Sequence, residues 1–243
     1  MNQADDPISL QTGSGVTGAE VSARETGAIV RHAIVLGGGR SQRMGRDKMG
    51  VVLEGRTLLR RTVDAALGWS DDVMVVAPEP VAWKADPRVR FTLEDPPYGG
   101  PVAGIAAAVA SLVAASPSAV DPCATLSAAD GVSTAPRLRV HTDLCTEVLL
   151  LAGDLAAPEA VVARLAEAQP GPDGVVLRDE DGWPQYLAAR YRLASLVSAI
   201  DALDGARDLS VRRALCALDL AQVPAPLTVT KDLDTPEDLA SLT

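Results

Sequence analysis

Residues 34–48 read IVLGGGRSQRMGRDK. An apolar run ends in three consecutive glycines, and the nine residues that follow carry Arg40, Arg43, Arg46 and Lys48. A short apolar run closed by glycine is the pattern of a buried strand meeting a turn. The chain has 243 residues and a formal net charge of -10, so this loop gathers positive charge inside an acidic protein. A small anion responds to that local field more than to the net charge. Glycines at a strand end let backbone N–H groups come close to phosphate oxygens or to a flat base. The stretch therefore predicts an anion pocket suited to a polyphosphate. Its spacing is neither a Walker A loop nor the G-x-G-x-x-G dinucleotide pattern.

Outward from this loop, strands alternate with helices. TLLRRTVDAAL (57–67) places Leu59, Val63, Ala66 and Leu67 on one helical face. DVMVVA (72–77) and VRFTLE (89–94) read as buried strands, and residues 100–115 as a helix of small side chains. EVLLLAGD (147–154) is a fourth strand, followed by the helix PEAVVARLAEA (158–168), with Pro158 suited to its first turn. DGVVLRDEDGWPQYLAARY (173–191) predicts two strands around a turn at Glu180, Asp181 and Gly182. Helices are expected at 193–203 and 209–218, and PLTVTKDLDTPEDLASL (226–242) as a strand running into a helix. In that helix Thr235, Pro236 and Asp238 would form the start and its capping box. The fold class is α/β: a three-layer α/β/α, Rossmann-like arrangement around a mostly parallel sheet. Residues 1–30 lack apolar period and read as a disordered extension. Residues 31–243 read as one domain, interrupted at 114–146 by a Ser-, Pro- and Ala-rich flexible insertion.

Composition excludes several classes of function. The acidic balance argues against nucleic acid or an anionic membrane as partner. Cys123, Cys145 and Cys216 fit neither a disulfide framework nor a zinc site, which suits reduced thiols in the cytoplasm. Cys216 is expected in the core. The N-terminus lacks a signal-peptide pattern. The most apolar segment, PVAGIAAAVASLVAA (101–115), is shorter than the roughly twenty residues of a membrane span.

LGGGRSQRMGRDK resembles the L-A-G-G-x-S-x-R-M-G-x-D-K signature of the MobA-like nucleotidyltransferases. LEDPPYGGPVAGI, LLLAGDLA and DLDTPEDL are similar, in order, to three further stations of that family, and WPQYLAARY to a weaker one. The resemblance covers residues 33–242 apart from the insertion. It implies a nucleotide-diphospho-sugar-transferase-like fold and a reaction in which a phosphate of the acceptor attacks the α-phosphorus of a nucleoside triphosphate. The implied substrates are GTP and molybdopterin, with Mg2+ as cofactor. Other cofactor-biosynthesis or molybdoenzyme proteins are further candidate partners. Gly38 stands where GTP-using relatives have Gly and CTP-using relatives have Ala. This chain departs from the family at Gly37 (usually Ala), Val76 (often Asn) and Ala156 (commonly Pro).

The resemblance also implies roles for residues. Lys48 would meet the α-phosphate and Arg43 the departing pyrophosphate. Leu36, Gly37, Gly38, Gly39, Asp95, Gly100 and Pro101 would join Lys48 in holding the nucleotide. Asp154, with Asp232 and Asp234, would hold the metal. Other readings stand beside these: Asp154 as an anion at the start of a helix, Asp232 and Asp234 as ordinary capping, and Asp95 as a turn residue. Trp183 would either flank the acceptor or lie partly buried. Alternatives for the whole chain are a different phosphorylated acceptor, such as a sugar phosphate, transfer from CTP, or a non-catalytic nucleotide-binding relative.

Overall fold

The computed structural model describes residues 29–37, 50–53, 55–78, 86–115 and 146–230. In chain order the elements are β1 (Val30–Leu36), β2 (Val52–Leu53), β3 (Arg56–Thr57), α1 (Leu58–Leu67), β4 (Asp72–Val76), β5 (Val89–Thr92) and α2 (Pro101–Ala115). Then follow β6 (Thr146–Ala152), α3 (Pro158–Glu167), β7 (Gly174–Arg178), β8 (Pro184–Arg192), α4 (Leu193–Asp201), α5 (Val211–Leu215), β9 (Leu220–Pro224) and α6 (Leu227–Thr230). Seven strands form one sheet in the order β5-β4-β1-β6-β8-β7-β9, and β2 and β3 make a separate hairpin. All the strands of the large sheet are parallel except β8, which runs antiparallel to both of its neighbours.

The period of two predicted for buried strands sorts side chains into two layers. Ala33, Val35, Val73, Val75, Leu149 and Leu151 face α1 and α3 through Leu59, Val63, Val161 and Leu165. Ile34, Leu36, Met74, Val76, Val148 and Leu150 face α2, α4 and α5 through Ile105, Leu112, Leu196 and Leu215. The central strands β1, β4 and β6 are thus covered on both sides, as a parallel sheet requires. Burying each Leu, Ile or Val is worth about 1.5–3 kcal/mol. The three-layer expectation holds.

Local signals fix the helix ends. Thr57 caps α1, its Oγ1 accepting the Arg60 N–H at 3.2 Å, and Pro158 opens α3. Gly104 lets α2 lie close against β4: a Cβ there would stand 2.8 Å from Val76 Cγ1.

Two expectations shift. The strand expected within 226–230 is displaced: Leu227–Thr230 is a short helix, and the strand that joins the sheet is Leu220–Pro224, beside β7. Edge pairing with β7 decided this, because propensity alone does not say which of two nearby segments reaches a sheet edge. The insertion also narrows at both ends: α2 continues through Ala115 and β6 begins at Thr146. Residues 1–28, 116–145 and 231–243 lie outside the described residues, and with them most of the extension, most of the insertion and the C-terminal capping helix; the expected extension ends early, because Val30 already pairs in β1.

Candidate active site

Strand order reverses between β1 and β6. From β1 the chain builds outward to β4 and β5, and from β6 it builds the other way. Ligands in open α/β sheets bind at the carboxyl ends of the strands beside such a reversal. Here those ends are flush. Ala77 N–H donates to the Thr92 carbonyl (3.1 Å), Gly37 N–H to Val76 (3.1 Å) and Gly153 N–H to Leu36 (2.9 Å). One row of backbone bonds therefore links the ends of β5, β4, β1 and β6.

Leu36 and Gly37 sit at the centre of this row. The Leu36 side chain is core, packed on the α2 side. Gly37 is buried, and a Cβ there would lie 2.8 Å from Leu59 Cδ1 and 3.3 Å from Ala77 Cβ. Its N–H is committed to Val76. α1 packs close here through the Leu59 methyls, which would have to shift to admit a Cβ, and the Gly37 amide is not available to an anion. Gly38, Gly39, Arg40, Arg43, Arg46 and Lys48 lie outside the described residues, as do Asp232 and Asp234. Val76, where relatives often have Asn, is 4% exposed and belongs to the core.

Asp154 follows β6 directly and is half-buried on the rim. The turn that carries it is pinned on both sides. Gly153 is bonded to Leu36, Leu155 is buried in the α1–α3 layer, and Ala156 packs with Leu53 and Leu58. Ala156 thus ties the turn to the β2–β3 hairpin. The cap position of α3 is Ala157 rather than Asp154. A carboxylate thus stands two residues past the end of β6, beside the switch point.

On the other side of β1, the loop after β5 leads to Gly100 and Pro101. Gly100 has φ +87° and its carbonyl accepts the first bond of α2, from Gly104 N–H at 3.2 Å. Pro101 is the first residue of the helix, a place where its missing N–H has no consequence. Asp95 is exposed, at the start of a cis Asp95–Pro96 peptide. The carboxylate that organises this loop is Glu94, whose Oε1 accepts the Gly99 N–H at 3.0 Å. The sequence reading passed over Glu94, because a side chain closing a turn onto an amide five residues ahead leaves no periodic trace.

A second loop braces the first. Asp208 N–H donates to the Gly99 carbonyl at 2.8 Å, and Arg207 Nη1 donates to the Pro96 carbonyl. Asp208 and Tyr98 both take positive φ. Neither Arg207 nor Asp208 was visible from the sequence, since they meet residues 96–99 only in the folded chain.

The rim continues across β8 and β7. Leu151 pairs with Ala188 in antiparallel register, so residues 183–187 run past the carboxyl end of β6. The β7–β8 turn closes as expected: Asp179 N–H donates to the Trp183 carbonyl (3.1 Å), and Gly182, with φ +88°, supplies its bend. Trp183 is 53% exposed, with the Arg212 guanidinium 4.6 Å from its ring centre. Cys216, one turn beyond Arg212, is exposed rather than core as expected; α5 ends at Leu215, and residues 216–217 turn outward.

A mostly parallel sheet with one reversed strand, and a switch point that has Gly37 on one side and Asp154 on the other, is a Rossmann-like α/β arrangement of the kind that binds ligands at its carboxyl edge. The chain belongs to the MobA-like NTP transferase domain family, which it matches over residues 33–217. A relative from Rhizobium johnstonii, called molybdenum cofactor guanylyltransferase, is 32% identical over 225 residues, spanning 85% of this chain and 88% of its own length. One of the same name from Rhizobium meliloti is 38% identical over 93 residues, 36% of this chain and 40% of its own length. Among solved structures, Rv0371c from Mycobacterium tuberculosis aligns with a TM-score of 0.58 at 20% identity, over 88% of this chain and 98% of its own. Molybdopterin-guanine dinucleotide biosynthesis protein A from Archaeoglobus fulgidus aligns with a TM-score of 0.53 at 18% identity, over 87% and 96%. These structural likenesses carry the fold, and the family assignment agrees with the resemblance read from residues 36–48. No helix among the described residues is long and apolar enough to cross a membrane.

Proposed function

We propose that this chain is a guanylyltransferase that moves GMP from GTP to the terminal phosphate of molybdopterin, with or without molybdenum, in the cytoplasm. The observation that carries the reading is the meeting at one switch point of three elements. They are the strand end leading into GGGRSQRMGRDK, the Gly153–Asp154 turn, and the Gly100–Pro101 start of α2. The names borne by the Rhizobium relatives support the acceptor.

In this reaction an oxygen of the acceptor phosphate forms a bond to the α-phosphorus, and the bond from that phosphorus to the bridging oxygen breaks. Pyrophosphate leaves with the electron pair. The nucleophile is already anionic, so the protein's task is to bring two anions together and to spread developing charge. Lys48 and Arg43 are assigned that charge, with the amides from Gly38 onward as the cradle. The Glu94 bond to Gly99 and the Asp208 bond to the same residue fix the wall formed by Gly100 and Pro101.

A divalent cation fits the donor chemistry here. Mg2+ takes oxygen ligands and is held by one or two carboxylates plus substrate phosphates, and Asp154 sits half-buried on the rim beside β1. Asp154, with Asp232 or Asp234, would hold it, and when bound it would neutralise charge on the triphosphate.

The test is incubation with GTP, CTP, ATP and UTP in turn, each with purified molybdopterin and Mg2+, followed by mass spectrometry. The expected product is the guanylylated cofactor with GTP alone. A cytidylyl product would overturn the base assignment, and transfer only to another phosphorylated acceptor would overturn the acceptor. Asp154→Ala is expected to abolish turnover while GTP still binds. Undiminished turnover would remove Asp154 from the metal role.

A further inference from the structure

The nucleotide half of the rim, at β5, β4 and β1, leaves the β8–β7 half without an assigned task. That half holds an exposed indole on an anchored backbone. Asp179 accepts the Trp183 backbone N–H at 2.8 Å through Oδ1, and Gln185 Nε2 donates to its Oδ2 at 2.6 Å. Arg212, from α5, lies over the Trp183 ring. Behind them β8 bulges. Val176 pairs with Ala189 but Leu177 pairs with Gln185, so residues 186–188 have no partner on β7. Bulges gather beside active sites, where they re-aim side chains. This one is held by Tyr191, whose buried hydroxyl donates to the Tyr186 carbonyl at 2.9 Å. The Tyr186 hydroxyl shares the neighbourhood: burial first and Cys216 second raise its pKa, while Arg212 opposes them.

The charged groups at the other end of the sheet offer no comparable surface. His32, Asp72 and Arg90 are bonded to one another, and Arg190 is paired with Glu147 and with the Ala168 carbonyl.

We infer that Trp183, braced by Arg212, is the surface on which the acceptor docks, and that it takes a flat fused-ring heterocycle bearing a phosphate. This deepens the reading proposed above and rests on it. Three observations converge. The indole stands past the carboxyl end of β6, on the rim that carries Asp154. The guanidinium covers one face of the half-exposed indole, and what stays open suits a fused heterocycle bearing an anion: the ring packs on it and the cation answers the phosphate. The surface is also bonded to the nucleotide side. Asp208, which holds Gly99, lies four residues before Arg212, and Ser210 between them caps α5 through the Arg213 N–H at 3.2 Å. The segment from Asp208 to Arg212 thus joins the two halves of the rim, through a backbone bond to Gly99 at one end and the ring contact with Trp183 at the other.

The test uses the full-length chain and three variants, Trp183→Ala, Trp183→Phe and Arg212→Gln. All change exposed side chains, and circular dichroism confirms that each folds. The measurements are steady-state KM for molybdopterin, KM for GTP, and equilibrium binding of molybdopterin without nucleotide. Trp183→Ala is expected to raise KM and Kd for molybdopterin about tenfold or more, the range for loss of one stacked ring. KM for GTP should stay within about twofold, the difference expected of a separate subsite. Trp183→Phe should restore most of the loss, and Arg212→Gln should weaken molybdopterin more than a pterin lacking the phosphate. Turnover by the unmodified chain with an unchanged molybdopterin KM in Trp183→Ala overturns this inference alone. Failure of the unmodified chain to bind or use molybdopterin overturns both this inference and the proposed acceptor.

Discussion

Replacing Tyr191 by Phe removes one oxygen and isolates the bond that holds the β8 bulge. Tyr191 is fully buried, and its hydroxyl donates to the Tyr186 carbonyl at 2.9 Å. The carbonyl has no ladder partner on β7, because the register jumps from Ala189 to Gln185. Leaving a buried acceptor unsatisfied costs about 1–3 kcal/mol. Tyr186 is half-buried, so water can reach part of it, and the low end of that range, about 1–1.5 kcal/mol, is expected. For a chain of this size that lowers Tm by about 2–6 °C. The pH dependence is a sharper signature. Burial, and after it the neighbouring Tyr186, pushes the Tyr191 pKa above the usual tyrosine range. Above about pH 10 the unfolded chain releases this proton and the folded chain keeps it, so stability falls as pH rises. One retained proton gives a slope of about -1.4 kcal/mol per pH unit. Urea unfolding at pH 7 and at steps from pH 9.5 to 11.5 should show Tyr191→Phe less stable at neutrality and shallower by about that slope above pH 10. Equal midpoints at pH 7, or parallel alkaline limbs, would refute the role given to the hydroxyl.

Gly174 opens β7 with φ +138°, and a Cβ there would come 2.1 Å from the Arg190 carbonyl oxygen and 2.9 Å from Tyr191 Cα. Both contacts are backbone, so Gly174→Ala should cost about 3 kcal/mol or more, read by urea denaturation; a loss under about 1 kcal/mol would contradict the close approach. At the far end of the sheet Asp72 accepts Arg90 Nη2 at 3.1 Å and lies 2.6 Å from His32 Nδ1. Burial alone would raise its pKa, but the hydrogen bond and charge of His32, then Arg90, outweigh it and the net shift is downward. A lowered folded pKa gives stability that is present above the usual carboxylate range and lost as pH falls through the folded value. Asp72→Asn should therefore cost about 1 kcal/mol at pH 7 and flatten the acid limb below pH 4, with a thermal melt series as the check.

The order of elements was legible because β1, β4 and β6 are largely apolar runs and α1 and α3 carry an apolar face. Those patterns depend on burial on both sides of a sheet and on nothing more distant. At residues 34–48 and at Asp154, residue type and position at a strand end suggest an anion and its counter-charge, and residues 38–48 lie outside the described residues. Legibility fails where the deciding contact is remote. The strand at 220–224 was missed because pairing with β7 selects it, and Cys216 came out exposed because α5 is shorter than its apolar pattern. Glu94 rather than Asp95 organises the loop before α2, and adjacent acids cannot be told apart until the amide of Gly99 is in place.

By itself the sequence determined the parallel α/β architecture, the glycine-and-cation loop at the end of β1, and the carboxylate at the end of β6. These are local facts, set by side-chain periodicity and by what a strand end can present. Only the tertiary structure decided that the Gly37 amide is bonded to Val76, that Arg207 and Asp208 brace the loop before α2, and that Arg212 lies over Trp183. Those arrangements join segments far apart in the chain, and their energies exist only once the sheet has brought them within hydrogen-bond and van der Waals distance.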